Sequence, residues 1–224
     1  MKDDRLFHTV ITASDKEYPR RLLDMKAVFP SFYVIPRCNI DMNDDNIIAV
    51  VGTRKATDEG KAMAYNICKI LSKNYIITTD LAQGIDYHAT LGVLEADGKI
   101  IGVRPYLYPI DYIKGELLER MVKNGCIMSK NLMKSDSYSW IIRQFHLCNL
   151  VIARIARAIV MIEARYTKHS GTMHYLNLNI DKPIYIWRPR STSIEYVRAY
   201  EEYTNNGAIG FDDVDELMTI INSF

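Results

Sequence analysis

The sequence predicts an α/β fold in which helices cover both faces of a doubly wound, mostly parallel sheet. Short apolar runs alternate along the chain with longer segments in which apolar residues recur at helical spacing. Two of the runs, residues 47–51 and 158–162, are unbroken apolar stretches, which is typical of strands buried on both faces. Strands that are separated by helices pair in parallel through right-handed crossovers. The order of the segments therefore indicates one sheet with helices above and below it.

The apolar runs predict the strands, and the segments between and after them predict the helices. Thr57 stands at the start of the first helical segment, where its hydroxyl group is expected to cap the helix. The predicted strands are residues 47–51, 75–77, 100–103, 126–128, 158–162 and 183–187. The predicted helices are residues 57–72, 85–96, 113–123, 138–156, 171–179 and 212–222.

Residues 1–46 do not show this alternation. Their polar and apolar residues are mixed, and Pro19, Pro30 and Pro36 interrupt regular structure. We expect this segment to be an N-terminal extension that packs on a core formed by residues 47–224. The core then holds all of the predicted strands and helices, including the terminal helix.

Composition narrows the classes of function. The chain carries 28 Lys and Arg residues against 27 Asp and Glu residues, so it lacks the basic surplus of proteins that grip duplex DNA. A nucleic-acid ligand would need a local cluster of basic residues. The four cysteines form no CxxC pair, which argues against a zinc site or a disulfide scaffold. No signal peptide or run of about 20 apolar residues is present, so we expect a cytoplasmic protein without a membrane anchor.

The residues after the first predicted strand are candidates for a ligand site, because ligands of open parallel sheets bind beyond the carboxyl ends of the strands. They are Gly52, Thr53, Arg54 and Lys55. The helix that follows is expected to direct free backbone amides at an anion in the same place. Arg54 can hold a phosphate through two nitrogen atoms. It can also form a surface salt bridge, and the residues alone leave both interpretations open.

Two further turns are expected at the same edge of the sheet. The second strand leads to Gly84 and Asp86, and the fifth leads to Glu163 and then to Ser170 and Gly171. Glycine allows tight turns, and hydroxyl groups can donate hydrogen bonds to an anion. Together with the first turn, they predict an anion-binding surface.

These residues do not indicate acid–base catalysis. Asp86 and His88 are two positions apart, and because successive helix residues are rotated by about 100°, they do not share a face. We interpret Asp86 as a turn or helix-start residue and Glu163 as a structural acceptor for neighbouring backbone amides. Hydrolysis of a nucleotide by Glu163 and Asp86 is the enzymatic alternative. The histidines are scattered, so we expect no metal site. The spacing shows no pair of a nucleophile and a base, so we also expect no enzymatic activity and no cofactor.

Several of these segments form a recognisable series when they are taken in order. The series comprises residues 50–54 with Gly60, residues 81–89, Phe145 with Asn149, residues 160–164, residues 170–172, residues 207–208 and residues 212–217. It resembles the DNA-processing protein A (Smf) family from about residue 18 to the C-terminus. The resemblance implies a Rossmann-like core that forms a homodimer, binds single-stranded DNA and passes it to a RecA-type recombinase.

Carried over by position, the resemblance implies that Gly52, Thr53 and Arg54 contact DNA phosphates. Lys55 adds a second positive charge beside them, and Phe145 offers a ring on which a base can stack. The other members of the series are expected to line or shape the same pocket: they are Gly84, Asp86, Asn149, Ser170 and Gly171.

The chain departs from the family pattern at several positions. Cys148 and Leu150 stand where the family usually has two arginines, and Asp80 adds a negative charge where a serine is usual. Charge-assisted contacts to phosphate are among the stronger hydrogen bonds, so the loss of two arginines is expected to weaken DNA binding. The basic residues that could compensate are Arg104, Lys130 and Arg154.

Three functions are therefore compatible with the sequence. The first is non-catalytic binding of single-stranded DNA by Arg54, Lys55 and nearby basic residues. The second is a nucleotide-binding sensor or nucleotide-processing protein of the same superfamily, which the near-neutral charge of +1 favours. The third is a scaffold that keeps the fold and the dimer surface but has lost its ligand.

Overall fold

The computed structural model describes residues 7–36, 40–110, 113–168, 170–178 and 180–223, which build one nine-stranded sheet with helices packed on it. The strands are β1 Thr9–Thr12, β2 Ser31–Ile35, β3 Ile47–Gly52, β4 Ile76–Thr79, β5 Ile100–Arg104, β6 Gly125–Ser129, β7 Ala158–Ile162, β8 Ile184–Trp187 and β9 Ile209–Phe211. The α-helices are α1 Asp58–Leu71, α2 Ile85–Glu95, α3 Glu116–Asn124, α4 Tyr138–Ile155, α5 Ile194–Asn205 and α6 Val214–Asn222. Short 3-10 helices cover Arg20–Met25 and Thr172–Asn177.

The sheet is doubly wound. Its strand order is β1-β2-β6-β5-β4-β3-β7-β8-β9, and every pair from β6 to β9 along this order is parallel. The chain proceeds outward from β3 through β4, β5 and β6, and then outward on the other side through β7, β8 and β9. This confirms the predicted Rossmann-like α/β fold. It also places the point where the strand order reverses between β3 and β7, and ligands of such sheets bind near that point.

Alternating side chains of β3 enter two separate apolar cores. Ile47, Ala49 and Val51 join a cluster with α4, whereas Ile48 and Val50 join a second cluster with α1 and α2. The alternation follows from the two-residue period of a strand, which directs successive side chains to opposite faces. A strand with a core on each face needs apolar residues at every position. This explains the unbroken apolar run from which β3 was predicted.

The segment before β3 contributes two strands that were not predicted from the sequence. β1 and β2 extend the sheet beyond β6 as an antiparallel pair, with Val34 of β2 opposite Met128 of β6. The same segment buries Tyr18, Leu22 and Phe32 in the core that covers α4. It therefore forms part of the sheet as well as a layer packed against it. Strands of four and five residues show too short an alternation to be distinguished from an irregular segment rich in proline.

Local signals determine where several helices begin. Thr57 caps α1 by accepting a hydrogen bond from the Gly60 amide at 3.0 Å, as was predicted. Ser137 caps α4 in the same way through the Trp140 amide at 3.3 Å. Asp213 accepts from the Glu216 amide at 2.9 Å and caps α6. These side chains satisfy amides that have no partner within their own helix.

Other predicted boundaries were inaccurate. The helix predicted at residues 171–179 is the 3-10 helix Thr172–Asn177, and α3 begins three residues later than predicted, after Gly115. Neither α5 nor β9 was predicted. The buried positions of α5 are Tyr196, Ala199 and Tyr203, which have helical spacing but lie in a polar sequence. A stripe of two tyrosines and one alanine gives a weak apolar signal.

The cysteines that the structure describes are reduced and buried. Cys68, Cys126 and Cys148 form no disulfide, and burial raises the pKa of the Cys148 thiol well above its ordinary value. Cys38 lies outside the described residues. Within the described part of the chain, no helix has both the length and the apolar composition that crossing a bilayer requires.

The integration of the N-terminal segment predicts a stability effect. Leu22 is 0% exposed and Leu23 is 41% exposed, although they are neighbours in the same 3-10 helix. We expect Leu22→Ala to lower the free energy of unfolding by about 2–5 kcal/mol, because it leaves a cavity against α4. Leu23→Ala serves as the matched control and should change it by about 0.5 kcal/mol or less. Urea denaturation measures both, and equal effects would contradict the burial of Leu22 in a shared core.

Candidate functional site

A cavity of about 230 Å³ opens at the carboxyl ends of β3, β4 and β5, beneath α4. Its place beyond the carboxyl ends of the strands is that of a ligand site in this class of sheet, although it lies on the β4 side of β3 and not between β3 and β7. Its volume lies just below the usual range of about 300–1,000 Å³ for small-molecule pockets. The residues that line it are Arg54, Asp80, Leu81, Ala82, Gln83, Arg104, Pro105, Tyr106, Lys134, Ile141 and Phe145.

Cationic side chains in the cavity lie over aromatic rings. The guanidinium carbon of Arg54 is 4.2 Å from the centroid of the Phe145 ring. The guanidinium carbon of Arg104 is 5.6 Å from the Tyr106 ring, and the Lys134 ammonium group is 5.9 Å from the same ring. Such contacts are attractive because the ring face is electronegative. The cavity therefore combines positive charge with flat apolar surfaces.

An acidic side chain, Asp80, also lines the cavity. The Ala82 amide donates a hydrogen bond of 2.7 Å to Asp80 Oδ1, and the Asp86 side chain is hydrogen-bonded to the same carboxyl group. Burial raises the pKa of Asp80, and the positive charges of Arg54 and Arg104 oppose that rise. Asp80 is thus a carboxyl group whose ionised form is favoured by two guanidinium groups and disfavoured by burial.

Asp86 lies behind Asp80 and does not line the cavity. It is 2% exposed, and its carboxyl group accepts hydrogen bonds from the Thr79 hydroxyl group and from the backbone amides of Asp80 and Gly52. Burial, followed by the charge of Asp80, raises the pKa of Asp86 well above its ordinary value. Because Asp86 is the more deeply buried of the two, its pKa is raised further than that of Asp80, so Asp80 is the group that ionises first. Asp86 therefore organises the strand ends, and its side chain presents almost no surface to a ligand in the cavity.

Gly84 brings the turn after β4 against the loop after β3. Its φ of +82° is in the left-handed region, and a Cβ atom there would lie 2.4 Å from the carbonyl oxygen of Thr53. The Ile85 amide then donates to that carbonyl oxygen at 3.2 Å. Only glycine allows this approach. The predicted residues Gly52 and Gly84 therefore shape the site through the backbone.

The Thr53 hydroxyl group is engaged within the loop. Thr53 is 7% exposed, its Oγ1 accepts from the Lys55 amide at 3.2 Å, and its own amide donates to the Glu163 carbonyl oxygen at 3.0 Å. Arg54 and Lys55 are exposed. Of the four residues predicted after β3, the two basic ones are therefore the ones that present side chains to solvent.

Glu163 occupies the N-terminus of α1, where free amides were expected to bind an anion. Its Oε2 accepts from the Thr57 amide at 2.8 Å, and its Oε1 accepts from the Thr57 hydroxyl group. Gly60 is required here, since a Cβ atom would lie 2.3 Å from the Glu163 carboxyl carbon. Burial raises the pKa of Glu163, and the hydrogen bonds from Thr57 lower it. The expectation of free amides at this helix was wrong, because an internal carboxylate takes the place of the external anion.

The remaining predicted residues meet one helical turn further along α4, around Asn149. Asn149 Nδ2 donates to the Gly171 carbonyl oxygen at 3.0 Å, and the hydroxyl groups of Ser170 and Thr172 are hydrogen-bonded to each other at 2.7 Å. Phe145 and Asn149 are four positions apart, so they lie on one face of α4. The structure thus brings both groups to a single strip along α4, although only Phe145 and Arg54 of the predicted residues line the cavity.

One of the three proposed replacements for the missing arginines reaches the cavity. Arg104 lines it, and its positive charge acts on Cys148, which stands at one of the two altered positions. Lys130 instead lies over the Phe29 ring at 5.6 Å, and Arg154 pairs with Asp24 at 3.0 Å.

Lys134 and Tyr106 were not predicted as site residues. The Lys134 amide donates to the Tyr108 carbonyl oxygen at 3.0 Å, and this contact between two loops brings Lys134 to the cavity. No periodic pattern marks a residue that is positioned by such a contact.

Among the described residues, no group of three or more His, Cys, Asp and Glu side chains is arranged to hold a metal ion. His146 and His174 are stacked with their ring centroids 4.2 Å apart. Two parallel rings in face-to-face contact cannot direct their in-plane nitrogen lone pairs at one ion.

The fold and the cavity define a class: a doubly wound α/β protein with a cationic, aromatic-lined ligand site at the ends of its central strands. The sequence model of DNA recombination-mediator protein A matches residues 9–222. The chain belongs to this family, which confirms the resemblance inferred from the ordered motifs.

Individual relatives agree with the assignment. The chain is 29% identical over 161 residues to Protein Smf from Synechocystis sp., covering 69% of this chain and 39% of that protein. It is 26% identical over 131 residues to DNA processing protein DprA from Bacillus subtilis, covering 56% of this chain and 42% of that protein. The fold matches DNA processing protein A from Helicobacter pylori with a TM-score of 0.76 at 19% identity, covering 98% of this chain and 97% of the other. The matched region thus spans about two fifths of the first two relatives.

The state of Asp86 predicts a dependence of stability on pH. Because the folded-state pKa of Asp86 is well above 3.8, its ionisation opposes folding. The wild-type protein should therefore lose stability relative to Asp86→Asn as the pH rises from 3.8 through the raised pKa. Urea denaturation between about pH 4 and pH 8 measures the difference.

Asp86→Ala is the matched control, since it leaves the Thr79 hydroxyl group and two amides without their acceptor. We expect it to cost about 3 kcal/mol or more at every pH. A constant difference between wild type and Asp86→Asn across the range would contradict a raised pKa for Asp86.

Proposed function

We propose that the protein binds single-stranded DNA in the cavity and along the adjoining face of α4. The observation that carries this proposal is the placement of Arg54 over the Phe145 ring at the cavity, 4.2 Å from its centroid. Sites for single-stranded nucleic acid combine cations that follow the phosphates with aromatic rings on which bases stack. Arg54, Lys134 and Phe145 supply both kinds of group in one place.

The distribution of charge supports the same function. The whole chain carries a net charge of only +1, yet three basic side chains line this one cavity. This is the local cluster that a nearly neutral nucleic-acid-binding protein requires. The Helicobacter pylori relative is a protein that binds single-stranded DNA, and the family is one of DNA recombination mediators.

Membership of the family supports a wider function. We propose a cytoplasmic, non-catalytic homodimer that protects single-stranded DNA and passes it to a RecA-type recombinase. The chemistry of the site supports a binding role, since Glu163 is committed to Thr57 and Asp86 is buried behind Asp80. Neither carboxyl group is placed to act on a ligand in the cavity.

Replacement of Arg54 tests the proposal. Arg54→Ala should raise the Kd for a labelled thymine oligonucleotide about 10- to 100-fold, because one charge-assisted contact is lost. It should also reduce the slope of log K against log salt concentration by about 0.7. Fluorescence anisotropy at two or more salt concentrations measures both quantities.

Arg157→Ala is the matched control. Arg157 directly precedes β7, so it lies at the amino ends of the parallel strands, whereas the cavity opens at their carboxyl ends. It removes the same charge and should leave the Kd within about twofold, since a remote charge is screened by salt. Binding that does not depend on salt, or equal losses in the two variants, would refute the proposed site.

A nucleotide-binding protein is the second candidate. The observation that favours it is the small cavity of about 230 Å³ with an internal carboxylate, Asp80. A thermal-shift comparison of mononucleotides with thymine oligonucleotides separates the two functions, because only a ligand of the native state raises the Tm. Stabilisation by mononucleotides alone would favour this second function over DNA binding.

A further inference from the structure

We propose that Asp80 makes the cavity selective for guanine, so that the protein prefers single-stranded DNA with a guanine at the bound position. This inference rests on the proposed function and adds a base preference to it. It depends on the place of Asp80 in the lining, on its hydrogen-bond partners and on the cations and rings around it.

A carboxylate in the cavity determines which part of the DNA can enter. Phosphate and Asp80 are both anions, and they repel each other strongly in a space partly shielded from water. A base carries no net charge and is not repelled in this way. The base therefore occupies the cavity beside Asp80, while its phosphates remain outside with exposed cations such as Arg54 and Lys55.

The hydrogen bonds of Asp80 leave it able to accept more. An ionised carboxyl group has about four acceptor positions. The Ala82 amide uses one of them at 2.7 Å, and the hydrogen bond with Asp86 uses another. These two hydrogen bonds fix the orientation of the Asp80 carboxyl group. The side chain is thus a positioned acceptor that still has capacity for a ligand in the cavity.

Guanine is the DNA base whose pairing edge matches such an acceptor. Its N1–H and N2 amino groups are adjacent donors, so one carboxylate can accept from both. Adenine, cytosine and thymine each place an acceptor next to a donor on that edge, and the acceptor would face the carboxylate unfavourably. A bidentate contact of this kind discriminates against the wrong base by about 1–3 kcal/mol.

The other lining residues suit the rest of the guanine ring. Arginine is the side chain that most often contacts O6 and N7 of guanine. Arg104 is buried in the lining and acts electrostatically on Asp80, so it is the arginine placed for this contact, while Arg54 remains with the phosphates. The rings of Phe145 and Tyr106 provide apolar faces against which a purine can stack.

The test uses thymine oligonucleotides that contain one central guanine, hypoxanthine, adenine or cytosine. A single guanine cannot form a four-stranded structure, so the comparison stays between single strands. Hypoxanthine keeps N1–H, O6 and N7 but lacks the N2 amino group. We expect the guanine oligonucleotide to bind about 10-fold more tightly than the adenine and cytosine ones, with hypoxanthine in between. Fluorescence anisotropy at one salt concentration gives the ratios.

Asp80→Asn should remove the preference, because an amide presents a donor to one of the guanine donors. The same change should tighten binding of the all-thymine oligonucleotide, since it removes a negative charge from the site. A lower preference with higher thymine affinity cannot arise from loss of folding. Equal binding of all four substituted oligonucleotides by the wild-type protein would overturn the role of Asp80.

Two further outcomes separate this inference from the proposed function. If the wild-type protein binds no oligonucleotide at all, the DNA-binding function itself fails, and the inference about DNA fails with it. Competition by guanosine monophosphate, but not by adenosine monophosphate, would support recognition of the guanine base. Binding of guanosine monophosphate without any binding of DNA would overturn the proposal and identify a free nucleotide as the ligand.

Discussion

The buried carboxyl group of Asp86 is the interaction on which the arrangement of the site depends. It joins the end of β3, through the Gly52 amide, to the end of β4, through Thr79 and the Asp80 amide. Parallel strands end as separate loops, and buried polar groups in those loops must find partners inside the protein. Asp86 supplies these partners from the first turn of α2. The position of the cavity, and of Asp80 within it, follows from this internal bonding.

A second internal carboxylate, Glu163, occupies a position at which an external anion could otherwise bind. Glu163 fills the N-terminus of α1, which in many Rossmann-like proteins would be the natural place for a phosphate. Attraction for phosphate then has to come from side chains. In the proposed function Arg54 and Lys134 supply it, and each of them lies over an aromatic ring of the cavity. Flexible cations beside rings suit a polymer of bases and phosphates better than one fixed phosphate.

Sequence patterns predicted the central sheet because its strands are buried on both faces and are separated by full helices. They did not predict β1 and β2, whose burial depends on the partner strand β6 and on α4. The same limit applies to the site. Arg54 and Phe145 were predicted from ordered motifs, whereas Lys134 and Tyr106 reach the cavity through loop contacts such as that between Lys134 and Tyr108. A contact between distant loops leaves no periodic trace in the sequence.

The sequence by itself determined the α/β class, the cap of α1 at Thr57 and the family, because these depend on local periodicity, capping and ordered motifs. Only the tertiary structure decided what each polar residue does. Asp86 and Glu163 are both carboxyl groups near the predicted pocket. Asp86 joins the ends of β3 and β4, whereas Glu163 accepts hydrogen bonds at the N-terminus of α1. Of the carboxyl groups that the structure describes, Asp80 is the one that lines the cavity. The physical reason is that charge and burial depend on neighbours from distant parts of the chain, which only folding brings together.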